Sequence, residues 1–265
     1  MIHPHDFFPS GDLAPLEDLF ELNRPVWEAL ARLKGTLREI ISPNLGRVPT
    51  GVPLPETLVL YEGEVIPGRE VEITFGDATR EGLEVSYRGR VLHGASVLCA
   101  GAVFMDREVE LGRGVLVEPG ALIRGPSIIG DCTEVRQGAY VRGHCFVGRG
   151  CVVGHTTEIK GSIMLDGAKA GHFAYLGDSI LGRRVNLGAG TKLANLKLTR
   201  GTVRVRVGGE LVDTGLRKMG AVLGDGVQTG CNSVTNPGTL LGPESLVLPG
   251  VTAGPGLLPP RSIVR

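Results

Sequence analysis

From Val91 onward the chain repeats every six residues, and that period admits very few folds. One set of positions reads Val91, Val97, Val103, Val109, Val115, Ala121, Ser127, Thr133, Ala139, Cys145, Cys151 and Thr157. A second reads Leu111, Val117, Ile123, Ile129, Val135, Val141, Val147, Val153, Ile159 and Leu165, often followed by glycine. An α-helix repeats at 3.6 residues and a strand at two, so neither holds a period of six. A hexapeptide β-helix does: each hexad gives one short strand and one turn, and about 18 residues complete a three-sided coil. Like positions then stack about 4.8 Å apart. The fold class is all-β, a parallel β-helix with ladders of Val, Ile and Leu inside and small residues beside them.

Composition agrees. The chain has 41 glycines and 5% aromatic residues at 42% hydrophobic, the balance of many tight turns between short apolar strands. Basic and acidic residues number 28 each, so no net field attracts nucleic acid. Arg204 and Arg206 lack interleaved aromatics and read as an exposed hairpin face. The five cysteines (Cys99, Cys132, Cys145, Cys151, Cys231) form no CxxC pair, which argues against a disulfide framework or zinc knuckle. Cys145 and Cys151 occupy the small-residue position of successive hexads and read as packing. No charged-then-apolar leader opens the chain and no apolar run reaches the ~20 residues that span a bilayer, so a soluble, cytoplasmic protein without membrane contact is expected.

The domain organisation follows from the same pattern. Residues 1–57 form an N-terminal helical segment and linker, residues 58–90 an irregular β region, residues 91–255 the β-helix and residues 256–265 a tail. Residues 1–12 read as irregular; Leu16 to Ile40 carry helical spacing, with Asn23 capping ahead of Pro25 and Ser42-Pro43-Asn44 as the stop. The apolar face of this helix packs on the scaffold or on another subunit; its sequence leaves both open. Residues 58–90 are expected to form the first, irregular coils, within about seven coils in all. After Leu165 the repeat resumes at Leu181, 16 residues on, which predicts a four-residue bulge around His172. Residues 196–219 leave the coil, and Thr202 to Val212 with the Gly208-Gly209 turn predict a β-hairpin there.

Two strings carry a resemblance: Lys169-Ala-Gly-His-Phe-Ala-Tyr-Leu-Gly-Asp178 and Val185-Asn-Leu-Gly-Ala-Gly-Thr191. With Arg142, Lys160, His172, Tyr175 and Asn186 at intervals of 18, 12, 3 and 11, this run resembles the acetyltransferase half of the bifunctional glucosamine-1-phosphate acetyltransferase / N-acetylglucosamine-1-phosphate uridyltransferase family. The resemblance implies a left-handed β-helix, an exception to the right-handed crossover rule, assembled as a homotrimer with sites between subunits. It implies an acetyl-CoA-dependent N-acetyltransferase on an amino-sugar 1-phosphate, in the route to UDP-N-acetylglucosamine. His172 is then the general base, Arg142 and Lys160 hold the phosphate, and Tyr175 and Asn186 hold the sugar. Lys218 matches a lysine reaching a neighbouring chain's sugar site, and Ala189, Asn195 and Cys231 fall at acetyl-CoA contacts.

The residue types suit that chemistry on their own terms. An attacking amine must lose a proton, and imidazole titrates near working pH. Arg and Lys on a rigid coil present fixed cations to a phosphate. Backbone N–H groups of Gly188-Ala189-Gly190 are candidates for the tetrahedral oxyanion. His144 and His155 match no motif and read as turn or surface residues, and the close His spacing of zinc-dependent γ-class carbonic anhydrases is missing. No glycine-rich nucleotide loop precedes Val91, so uridylylation is not expected of this chain alone. Leu196 replaces an aromatic, Cys231 a serine and Pro249 a small residue of the family, all toward the acyl-CoA end. A second reading therefore stays open: a non-catalytic sugar-nucleotide-binding or trimerising subunit with a nucleotidyltransferase partner chain.

Overall fold

The computed structural model describes residues 2–9, 11 and 13–265. The hexads form a three-sided, left-handed parallel β-helix. Its first face begins at Ser96–Leu98, its second at Val103–Phe104 and its third at Val109–Leu111. The second and third faces each hold eight strands, so the chain makes eight complete coils, and Ile263–Val264 starts a ninth on the first face. Seven were expected; the ladder continues past Pro255 through Gly256–Leu258 and Ile263–Val264, because a proline at a corner leaves the strand pairing intact.

The inward positions are those the period predicts. Val117, Ile123, Ile129, Val135, Val141, Val147, Val153 and Ile159 are all fully buried, as are Cys145 and Cys151. The ladder first advances by 19 residues, pairing Leu98 with Val117, and then by 18, pairing Ser127 with Cys145 and Ile129 with Val147. It then advances by 17, pairing Val147 with Met164 and Ile159 with Leu176.

The predicted bulge is therefore absent. The corner after Val141 is Arg142-Gly143-His144, whereas the corners after Ile159 and Leu176 each lack one residue, and Leu181 pairs back onto Met164. Sixteen residues from Leu165 to Leu181 are three hexads less two, taken out at corners, where losing a residue leaves the ladder intact. His172 ends a regular strand, Lys169–His172, in register with His155.

The third face is apolar outside as well as inside. Ile128, Phe146, Ile163, Ile180, Val222 and Leu240 form an outward column, and the N-terminal segment lies on it through Phe7, Phe8, Leu16, Phe20, Trp27, Leu33 and Leu37. This settles the partner of the amphipathic helix Glu28–Ile40: it packs on its own scaffold, burying Ala29, Leu33 and Leu37. Asn23 does not cap it; Trp27 stands at the N-cap without a side-chain hydrogen bond, and burial of Val26 and Trp27 fixes the entry instead. Residues Pro4–Phe7, expected to be irregular, form one helical turn. The predicted hairpin joins Arg204–Val207 to Glu210–Asp213 across Gly208-Gly209, whose φ values of 57° and 92° suit a two-residue reversal. Val203, Val205 and Met219 complete the cover of the third face.

Residues 58–91 are not coils. Leu58–Tyr61 turns back through Glu62-Gly63, at φ 48° and 81°, and adds two antiparallel strands to the start of the first face. Glu72–Thr74, Glu84–Tyr87 and Arg90–Val91 form a separate antiparallel meander against that face. The proline-rich stretch before them plugs the open end of the helix: Leu45, Val48 and Leu54 enter the inner core, and the Asn44 side chain exchanges hydrogen bonds of 2.7 and 2.9 Å with the Leu111 backbone.

Candidate active site

The edge between the first and second faces is built from two-residue corners: His155-Thr156, His172-Phe173, Ala189-Gly190, Cys231-Asn232 and Pro249-Gly250. In each, the second residue takes a left-handed conformation, with φ of 53° at Thr156 and Phe173 and 77° at Gly190. That residue's amide donates to the coil before it, as Phe173 N–H does to the His155 carbonyl and Gly190 N–H to the His172 carbonyl, both at 2.9 Å. The first residue of the corner is left facing outward. His172, Ala189 and Cys231 thus stack along one edge in successive coils.

His172 is exposed, and among the described residues its ring makes no hydrogen bond. Its neighbour is the Phe173 ring, 6.2 Å away, which also meets His155 edge-on at 5.2 Å. His155 is occupied, its Nδ1 lying 3.1 Å from the Gln137 carbonyl oxygen. Of the Gly188-Ala189-Gly190 amides, Gly188 donates to Thr229 and Gly190 to His172, so only the Ala189 N–H remains open. Lys192 cross-ties this edge, its ammonium donating 2.8 Å bonds to the Phe173 and Gly190 carbonyls.

From His172 the chain crosses the second face through Tyr175 and reaches the opposite edge at Asp178. Tyr175 stacks in a column with Tyr140, Glu158 and Lys192. Arg142 donates to Glu158 at 2.6 Å and lies over the Tyr140 ring at 5.7 Å. One coil on, Lys160 donates to both Asp178 oxygens at 3.0 Å. The Asn195 side-chain amide donates to the same carboxylate, and Tyr175 Oη donates to Asn195 Oδ1 at 3.4 Å.

The predicted residues therefore fall into groups. Arg142, Lys160, Tyr175 and Asn195 share the second face and its far edge; His172, Ala189 and Cys231 share the near edge. Asn195, matched to a cofactor contact, sits with the cation group rather than with Ala189 and Cys231. Asn186 lies on the first face between Lys169 and Gln228, and Lys218 closes the excursion by pairing with Leu196. Asn186 is not brought to the second face within one chain, whereas Lys218 lies at its far edge, next to the Met219 amide that donates to the Asn195 carbonyl. Sequence reasoning missed Glu158, Asp178 and Lys192, whose partners lie one coil away. Among the described residues no three His, Cys, Asp or Glu side chains gather as a metal site.

Residues 123–247 match the GMPPB C-terminal domain family. A bifunctional sugar-1-phosphate nucleotidylyltransferase/acetyltransferase of Sulfurisphaera tokodaii is 34% identical over 48% of this chain and 36% of its own length. The bifunctional protein GlmU of Methanococcus maripaludis is 30% identical over 69% of this chain and 51% of its own length. The chain thus spans from about a third to half of the length of these relatives. Among solved structures, a perosamine N-acetyltransferase from Caulobacter crescentus in complex with CoA and GDP-perosamine is 21% identical, with TM-score 0.28 over 61% of this chain and 49% of that one. No helix among the described residues is long and apolar enough to cross a membrane. Over its β-helix, the chain is similar to these bifunctional GlmU-type nucleotidylyltransferase/acetyltransferases.

Proposed function

We propose that this chain is a cytoplasmic, acetyl-CoA-dependent N-acetyltransferase acting on an amino-sugar 1-phosphate of the glucosamine-1-phosphate kind. The observation that carries the reading is the unbonded imidazole of His172, one corner below the open Ala189 amide and at the end of a face bearing Tyr175, Arg142 and Lys160. The sugar amine nitrogen attacks the thioester carbonyl carbon and passes its proton to His172. Ala189 N–H donates to the oxyanion of the tetrahedral intermediate. Collapse breaks the carbon–sulfur bond, and CoA leaves as the thiol after taking up the proton. Arg142 and Lys160 hold the phosphate, and Tyr175 and Asn186 orient the sugar. Cys231 and Asn195 are assigned to the CoA end.

Asn186 stands apart from the second face of its own chain, which is the arrangement a homotrimer requires if each site takes residues from two subunits, and Lys218 is assigned to the sugar site of a neighbouring chain. General-base catalysis contributes about 10²–10⁴-fold. Purified protein with acetyl-CoA and glucosamine-1-phosphate should release thiol, and His172→Ala should lose that factor while keeping its fold. No thiol release across several amino-sugar phosphates would sink the enzymatic reading. It would favour the non-catalytic sugar-nucleotide-binding or trimerising subunit, for which the exposed Leu196 and the Pro249 corner speak.

A further inference from the structure

A cavity of about 250 Å³ opens where the helix Glu28–Ile40 meets the edge between the second and third faces. Lys34 approaches from the helix; Arg124, Arg142, His144, Lys160 and Asp178 come from four successive coils. The four cations are not equivalent. Arg142 is paired with Glu158, and Lys160 with Asp178. Lys34 and Arg124 have no acidic partner among the described residues. His144 lines the same cavity, and its Nε2 is buried and without a hydrogen-bond partner. Burial first, then the charges of Lys34, Arg38 and Lys160, hold its pKa below the ordinary value against the opposing pull of Glu108. A buried polar atom without a partner costs free energy, and two uncompensated cations in the same cavity favour a ligand carrying two negative charges.

We infer that Lys34 and Arg124, in the cavity that His144 also lines, seat the phosphoryl group of a phosphate-ester dianion, so that the N-terminal helix is itself part of the binding site. The inference rests on reading this edge as the phosphate end of the site, and it moves the weight of that contact. Arg142 and Lys160, each already paired with a carboxylate, line the same cavity, while the two unpaired charges set affinity. A helix held to the third face by apolar packing carries Lys34 at a fixed height along the edge, without the ordering cost of a loop.

The test is calorimetric binding of inorganic phosphate and of glucose 1-phosphate, which has no amine and cannot be acetylated, with acetate as the monoanion control. Wild type should bind both phosphates and not acetate. Lys34→Ala and Arg124→Ala should each weaken binding about tenfold, the loss of one charge-assisted contact, and Lys34→Arg should restore it to within about twofold. Both side chains are exposed, so far-UV circular dichroism should show the fold unchanged. Wild-type affinity in both alanine variants would overturn the inference, as would no phosphate binding by wild type at millimolar concentration. Tighter binding of the ester than of free phosphate assigns the ligand to a sugar phosphate; equal binding assigns it to the phosphoryl group alone. Acetyl transfer is not read here, so an inactive enzyme that binds phosphate through Lys34 and Arg124 would fail the acetyltransferase reading and keep this one.

Discussion

Two glycines in adjacent coils under the His172 corner should respond oppositely to the same substitution. A methyl group built on Gly154 would lie 1.9 Å from the Gly171 carbonyl oxygen and 2.2 Å from its carbon, whereas one built on Gly171 meets nothing within 4 Å. Neither glycine has a positive φ, so backbone strain does not enter. Gly171→Ala should stabilise by about 0.5 kcal/mol, because alanine loses less chain entropy on folding. Gly154→Ala gains the same entropy but must force two stacked backbones apart. Overpacking costs about 1–3 kcal/mol where side chains can yield, and here the obstacle is main chain, so the upper end applies. The two variants should therefore differ by about 3 kcal/mol. Urea unfolding followed by far-UV circular dichroism reads the difference, and hydrogen exchange of the Arg136 and Phe173 amides, which donate to Val153 and His155, localises it. Equal midpoints for the two variants, or a destabilised Gly171→Ala, would refute the stacking geometry at the corner that presents His172.

Three further outcomes are expected. Burial pushes the Cys145 and Cys151 thiols up to about 12 and Cys99 to about 11, while Cys231 is exposed, so a disulfide-exchange reagent at pH 8 should label Cys231 fast and the other three only on unfolding. The pKa of His144 is lowered in the fold, so the unfolded chain binds the proton first; stability should be flat above about pH 6.5, fall as pH drops below it, and lose that slope in His144→Gln. Leu37→Ala, at a fully buried contact of the N-terminal helix, should cost about 2–5 kcal/mol and shift the emission of Trp27, the one tryptophan, to the red as the segment loosens.

The inner ladder was legible because every coil must place the same kind of side chain at the same height, and that requirement writes a period into the chain. The outer column of the third face was legible too, but as a second-order signal: every third hexad carries two adjacent apolar residues, as in Ile128-Ile129, Phe146-Val147, Ile163-Met164 and Ile180-Leu181. One of the pair faces in and the other meets the N-terminal helix. The corner deletions were misread because 16 residues are two hexads plus four as well as three hexads less two, and only the ladder distinguishes them. The candidate site was legible where a residue stands alone, as His172 does at its corner. It was not where they act in pairs, because a β-helix places partners about one coil apart: Arg142 with Glu158, Lys160 with Asp178. Reading charges at that offset would have found both.

The same geometry bears on why the proposed chemistry falls at one height on a scaffold that repeats eight times. Each first-to-second-face corner turns an amide outward, so the fold offers a potential oxyanion donor on every coil. Side chains decide which ones survive. At Gln137 the donor is consumed by Glu118, which accepts it at 2.8 Å, and at Pro249 there is no N–H at all. At Ala189 the small methyl leaves it open, and the coil immediately below carries the one outward imidazole on this edge that is free of a backbone partner. In the proposed mechanism, donor and base are thus set one coil, about 4.8 Å, apart by the ladder itself. That spacing needs no loop to order and no side chain to search, which is the preorganisation that acyl transfer to an amine calls for.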